Sequence, residues 1–213
     1  MYFQDQAIIL SSEPHRESDL LIKAYTFSHG KVILKARGAG KIQSKLAGHL
    51  QPISLSDLNW VSGKNTPQLT GAVMSSGFSS IKEDIVRTSY ALYFLELVDL
   101  ATQTEHADQK IFQLLASHLA LLEKVPAGKI KLTGLIFTYK LLAVLGFSPL
   151  LKKEPSSTEY KILRQIISSP ARDILALNIS EKDTLSLTQD AEKYLAETFE
   201  VKIYSAEFLK KIK

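Results

Sequence analysis

Between residues 20 and 56 the chain carries Lys23, Lys31, Lys35, Arg37, Lys41 and Lys45, and neither an aspartate nor a glutamate. Cations spaced like this suit the neutralisation of a polyanion, because each phosphate they meet releases a condensed counterion. A strand edge kept soluble by lysines would carry the same charges with no ligand at all. The elements that must place them are legible around them. Residues 31–37 alternate, with Val32, Leu34 and Ala36 on one face and Lys31, Ile33, Lys35 and Arg37 on the other, the pattern of a half-buried strand. Residues 19–27 alternate in the same way, and Ser28-His29-Gly30 joins the two as a hairpin. Gly38-Ala39-Gly40 then breaks the strand, and residues 41–47 are predicted to form a short basic turn of helix. Tyr25 and Phe27, interleaved with Lys23, could stack on bases or fill a core.

No constellation looks catalytic. Gly38-Ala39-Gly40-Lys41 follows a strand, but a phosphate loop needs a glycine five residues before its Gly-Lys pair and a Ser or Thr after it. Those positions hold Lys35 and Ile42. Gly77-Phe78-Ser79-Ser80-Ile81 lacks the closing glycine of a nucleophile elbow. The five histidines are scattered and there is no cysteine, which excludes disulfides, thiolate nucleophiles and cysteine zinc sites. Glu13, Glu17 and Asp19 sit at a turn beside Arg16 and read as a solvated loop. The chain is expected to be non-enzymatic and to need no cofactor.

The 213 residues have 45% hydrophobic and 23% charged content and a formal net charge of +4, an ordinary globular balance with a mild basic bias. The N-terminus lacks a basic region before its first apolar run, and residues 132–147 are too short to span a bilayer. A soluble, cytoplasmic protein is expected. Five short strands with a small helix between the third and fourth is the layout of an OB-fold barrel, although another small barrel would satisfy the same count.

Past Gly77 the period becomes helical. Tyr90, Phe94, Leu97, Val98 and Ala101 form one stripe, and Asp108 is placed to cap a helix that Pro126-Ala127-Gly128 ends. Residues 130–145 are apolar on most faces, as a buried central helix would be. Ser156-Ser157-Thr158-Glu159 is a capping box, and Thr188 is expected to cap a last long helix. The fold class is therefore α+β, a strand domain over residues 1–79 and an all-helical domain over residues 80–213.

Several ordered segments together resemble the bacterial DNA repair and recombination mediator family RecO. They are Ala7-Ile8-Ile9-Leu10, Arg16-Glu17-Ser18-Asp19-Leu20-Leu21, Thr26-Phe27-Ser28-His29-Gly30-Lys31, Ala36-Arg37-Gly38-Ala39-Gly40-Lys41, Ser44-Lys45-Leu46-Ala47-Gly48 and Leu50-Gln51-Pro52. In the helical part Tyr93-Phe94-Leu95-Glu96-Leu97-Val98-Asp99, Phe112-Gln113-Leu114-Leu115, Leu145-Gly146-Phe147-Ser148-Pro149 and Tyr204-Ser205-Ala206-Glu207-Phe208-Leu209 continue it. The resemblance implies an OB domain on a helical domain, binding of single- and double-stranded DNA, strand annealing, and work with RecR and the single-stranded-DNA-binding protein in loading RecA at the nucleoid. On this reading Lys23, Lys31, Lys35, Arg37, Lys41 and Lys45 line one DNA track. Lys110, Phe112, Leu115, Lys129, Lys131 and Lys140 are the candidates for a groove taking that protein's acidic, apolar C-terminal tail. Many members carry a four-cysteine zinc motif after the Gly-Phe-Ser-Pro segment, whereas here Leu150-Leu151-Lys152-Lys153-Glu154-Pro155 follows. A general DNA- or RNA-binding module, or a scaffold, would share the basic strands.

Overall fold

The computed structural model describes residues 1–211, so residues 212 and 213 of the expected helical domain lie outside it. The chain forms two compact units. The first holds five strands, β1 (Tyr2–His15), β2 (Asp19–Thr26), β3 (Gly30–Ala36), β4 (Leu55–Val61) and β5 (Gln68–Ser76), closed into a barrel in the order β1-β2-β3-β5-β4. This is the OB order. β1 is long because it serves two partners, pairing through Tyr2–Ile8 with β4 and from Ala7 onward with β2. A bulge between Ile9 and Ser11 falls within its ladder with β2, where the extra residue bends a strand and increases its twist.

Alternation decides what fills the barrel. Ala7, Ile9, Ile22, Ala24, Val32, Leu34, Ala36, Leu58, Trp60, Leu69 and Ala72 are buried in one core, small and large residues mixed as a narrow barrel requires. Between β3 and β4 the structure has turns and a short 3-10 helix, Ala47–Leu50, where the sequence suggested a turn of helix over 41–47. Leu50 is fully buried and the His49 carbonyl accepts from the Ser56 hydroxyl at 2.8 Å, so this segment plugs the barrel instead of extending β4.

Thr102–Ala116 belongs with the strands. The Tyr25 hydroxyl accepts from the Asp108 N–H and lies 3.2 Å from its carbonyl, Phe27 meets Phe112 edge-on with ring centroids 5.5 Å apart, and Lys31 forms a parallel bridge with Thr104. Tyr25 is consequently buried, and burial raises its hydroxyl pKa. It cannot stack on a base.

The helices are α1 (Ser79–Lys82), α2 (Ile85–Ala101), α3 (Gln109–Lys124), α4 (Ile130–Val144), α5 (Thr158–Ser168), α6 (Ala171–Ala176), α7 (Glu181–Phe199) and α8 (Tyr204–Lys211). The second unit takes Ser80–Ala101 and the described residues from Ser117 on. α4 is its centre, apolar nearly all round and buried accordingly. Phe94 and Phe137 stack at 4.1 Å in its core. The cost of leaving helix ends open is met by side chains. Ser157 caps α5 and Ser180 caps α7, eight residues before the expected Thr188. The Glu96 carboxylate accepts from the Tyr204 and Ser205 N–H groups that open α8, and the Arg87 guanidinium donates to the carbonyls of Leu122 and Val125 at the end of α3. No helix among the described residues is long and apolar enough to cross a membrane.

Candidate nucleic-acid interface

The glycine loop after β3 is held from inside. Ala39 is fully buried in the barrel core. The Gly40 N–H donates to the Ser18 carbonyl at 2.8 Å, and the Lys41 N–H donates to the Gly38 carbonyl at 3.2 Å. Gly38 has φ +64°, a left-handed conformation that favours glycine, and its N–H donates to one oxygen of Asp19 at 2.8 Å. The other Asp19 oxygen lies 2.9 Å from the Lys35 ammonium. With Ala39 turned inward, Arg37 and Lys41 on either side of it are exposed, as is Lys45 a few residues on.

The candidate cations thus divide. Lys23, Lys31 and Lys35 share the outward face of β2 and β3 by register, Lys23 opposite Ile33 and Lys31 opposite Tyr25. All three are half-buried; Lys35 is paired with Asp19 and the other two are already engaged. Arg37, Lys41 and Lys45 are open to solvent. Asp19 lies one residue outside the acid-free run, and the hairpin register that sets Leu21 against Lys35 brings it to the loop. That register was available from the Ser28–Gly30 turn and was the signal for this missed partner.

The hydrogen bonds from Lys35 and from the Gly38 N–H hold the Asp19 carboxyl below its usual 3.8. A depressed carboxylate anchors the loop above that ordinary value and loses its hold only as pH falls through the lower folded one. Acid titration followed by amide hydrogen exchange should therefore find Gly38 still protected at pH 3.8 and released below it. Release beginning above that pH would mean that Asp19 does not anchor the loop.

The helical candidates are placed differently. Phe112 and Leu115 are buried, so neither can wall a groove. The Lys140 ammonium donates to the Ser169 carbonyl at 2.6 Å and that of Lys129 to the Leu177 carbonyl at 3.4 Å, cations set against the C-terminal ends of α5 and α6 as helix dipoles favour. Lys110 and Lys131 are exposed. Lys110 falls in the first unit and Lys131 in the second.

A family model described as "Recombination protein O N terminal" matches residues 1–78, and one described as "Recombination protein O C terminal" matches residues 82–199. The chain belongs to the RecO family. Among similar proteins, the DNA repair protein RecO of Myxococcus xanthus is 34% identical over 148 residues, 69% of this chain and 60% of that protein. The DNA repair protein RecO of Listeria innocua is 31% identical over 149 residues, 70% of this chain and 57% of that protein. The matched chain thus spans well under two thirds of the length of these relatives. The residues present do not fit the zinc motif that the RecO resemblance implied. Where it would follow Pro149, the Lys153 ammonium sits 2.5 Å from both the Glu159 and the Asp190 carboxylates, with Ser186 donating to Glu159. Burial works against the Lys153 charge, but its hydrogen bonds to Asp190 and Glu159 outweigh this and leave its pKa raised; the bond from Lys153 in turn lowers that of Glu159. Lys153 presents a positive charge of its own, and the cluster holds no thiolate.

Proposed function

We propose that this chain works in DNA repair as a non-enzymatic recombination mediator, binding single- and double-stranded DNA through its barrel unit and annealing complementary strands. The observation that carries this reading is the anchored glycine loop presenting Arg37 and Lys41, with Lys45 exposed beyond it. Cations that contact phosphates carry no base identity, and annealing requires both neutralised backbones and bases free to pair. RecR and the single-stranded-DNA-binding protein are the proposed partners in loading RecA, with the acidic tail of the latter meeting an exposed cation, either Lys110 in the first unit or Lys131 in the second. The proposed setting is the cytoplasm, at the nucleoid.

The test is an annealing assay on complementary DNA strands, bare and coated with the single-stranded-DNA-binding protein. Duplex formation should accelerate in both arms, and removing the acidic tail from the coating protein should slow only the coated arm. Acceleration of RNA strands alone would point to an RNA module. No acceleration with any strand would leave the mediator reading without support.

A further inference from the structure

The barrel wall has a gap. In an extended strand alternate residues turn their N–H and C=O to the same edge. On β3 the Lys31 carbonyl accepts from the Glu105 N–H, and the Lys35 N–H donates to the Pro67 carbonyl at 2.9 Å. Ile33, midway between them, turns its N–H and C=O to that same edge. Neither neighbour reaches it, because the parallel pairing of β3 with β5 is the single pair Lys35–Gln68 and that with the 102–116 segment is the single pair Lys31–Thr104. Sequence explains the stop. Continuing the β5 ladder by one step would call on the N–H of residue 67, and a proline has none.

The gap opens into a cavity of about 700 Å³. Phe3 and Trp60 line it, stacked at 5.4 Å and 12° from parallel, and His29 stands edge-on to both. Asp5 accepts from the Ser28 N–H at 2.6 Å and lies 2.9 Å from the His29 ring nitrogen, which fixes that ring. Thr104 and Glu105 form part of the rim, and a carboxylate there repels a phosphate. The site is aromatic inside and offers one backbone donor beside one backbone acceptor at its edge.

We infer that this slot takes one unstacked nucleobase of a single strand, its pairing edge on the Ile33 N–H and C=O and its ring against Phe3 and His29. Each nucleobase carries an acceptor next to a donor on its pairing edge, so the contact is indifferent to which base enters. Flat ring, aromatic lining and paired polar edge are how proteins hold splayed bases. Bases elsewhere on the strand remain free, so one held base fixes position without blocking pairing.

This inference rests on the DNA reading above, and its test separates the two. Trp60 is the one tryptophan in the chain, so its fluorescence reports on the slot, while the anisotropy of a labelled oligomer reports binding of any kind. An oligo-dT should quench Trp60, whereas an abasic oligomer of equal length should not quench it and should bind about tenfold more weakly, the worth of one stacked base. Thr104→Phe, at an exposed rim position, should fill the slot. It should abolish the quenching and bring oligo-dT down to the abasic affinity, while leaving abasic binding as it was. Oligo-dT that binds without quenching, or equal quenching by both oligomers, overturns the slot and leaves DNA binding standing. These two wild-type results decide the matter even should the variant misfold. Absence of binding by either oligomer removes the DNA reading and the slot together.

Discussion

Reversing Arg37 and Lys41 together to glutamate is expected to weaken single-stranded DNA binding by roughly thirtyfold at about 100 mM salt, and to flatten its salt dependence. If about five of the six candidate cations met phosphates, the slope of log affinity against log salt would be roughly −3.5. The structure reduces the expectation. Lys35 is committed to Asp19 and Lys23 and Lys31 are half-buried, which leaves Arg37, Lys41 and Lys45 as the exposed set and a slope of about −2 for single strands. With Lys45 alone still neutralising a phosphate, the slope should fall to about −0.7, and repulsion from the new carboxylates adds to the drop in affinity. Both side chains are exposed, so the change in stability should stay within about 0.5 kcal/mol. A salt titration by anisotropy of the wild type and the double variant is the measurement. Coincident curves would remove the glycine loop from the interface.

Gly30→Ala is expected to cost the barrel unit about 3 kcal/mol, the sum of a left-handed backbone and an overpacked contact. Gly30 has φ +70°, and a Cβ built there would lie 2.2 Å from the His106 carbonyl oxygen and 2.4 Å from its carbon, both backbone atoms. Relief would require residues 104–108 to lift from the strands, breaking the bond from the Glu105 N–H to the Lys31 carbonyl and exposing Tyr25. Urea unfolding followed by Trp60 emission reads the barrel unit alone, since that unit contains the only tryptophan. Gly48→Ala is the control, because a Cβ there meets nothing within 4 Å. Equal midpoints for the two variants would mean that the 102–116 segment is not anchored at Gly30.

What could be read from sequence was whatever a short period encodes. Val32, Leu34 and Ala36 alternate with Lys31, Ile33 and Lys35, and they occupy the inner and outer faces that this alternation implies. The apolar run of residues 130–145 is the buried central helix, closed by Gly146 at φ +85°. What escaped were pairings set by tertiary distance. Tyr25 lies on the outward face among lysines, yet a segment more than eighty residues away covers it. Lys129 and Lys140 looked like cations beside apolar side chains; only knowledge of which helix ends lie nearby shows that they bond the carbonyls of Leu177 and Ser169. The start of α7 was missed for a local reason. Ala191 and Leu195 made the later stretch conspicuous, while Ser180 with Asp183, whose N–H the serine accepts at 3.1 Å, is a cap signal of the same kind as the Ser156-to-Glu159 pattern, whose helix the structure caps one residue on, at Ser157.

The inward turn of Ala39 has a kinetic corollary. A loop tethered at Asp19 and Ser18 and pegged into the barrel by a methyl group has little freedom left to lose when a strand arrives, so the ordering penalty of association falls on the nucleic acid. Contacts of this kind form and break without waiting for the protein to rearrange. Under the proposed annealing function, one strand would then give way to another with no protein reordering step between them.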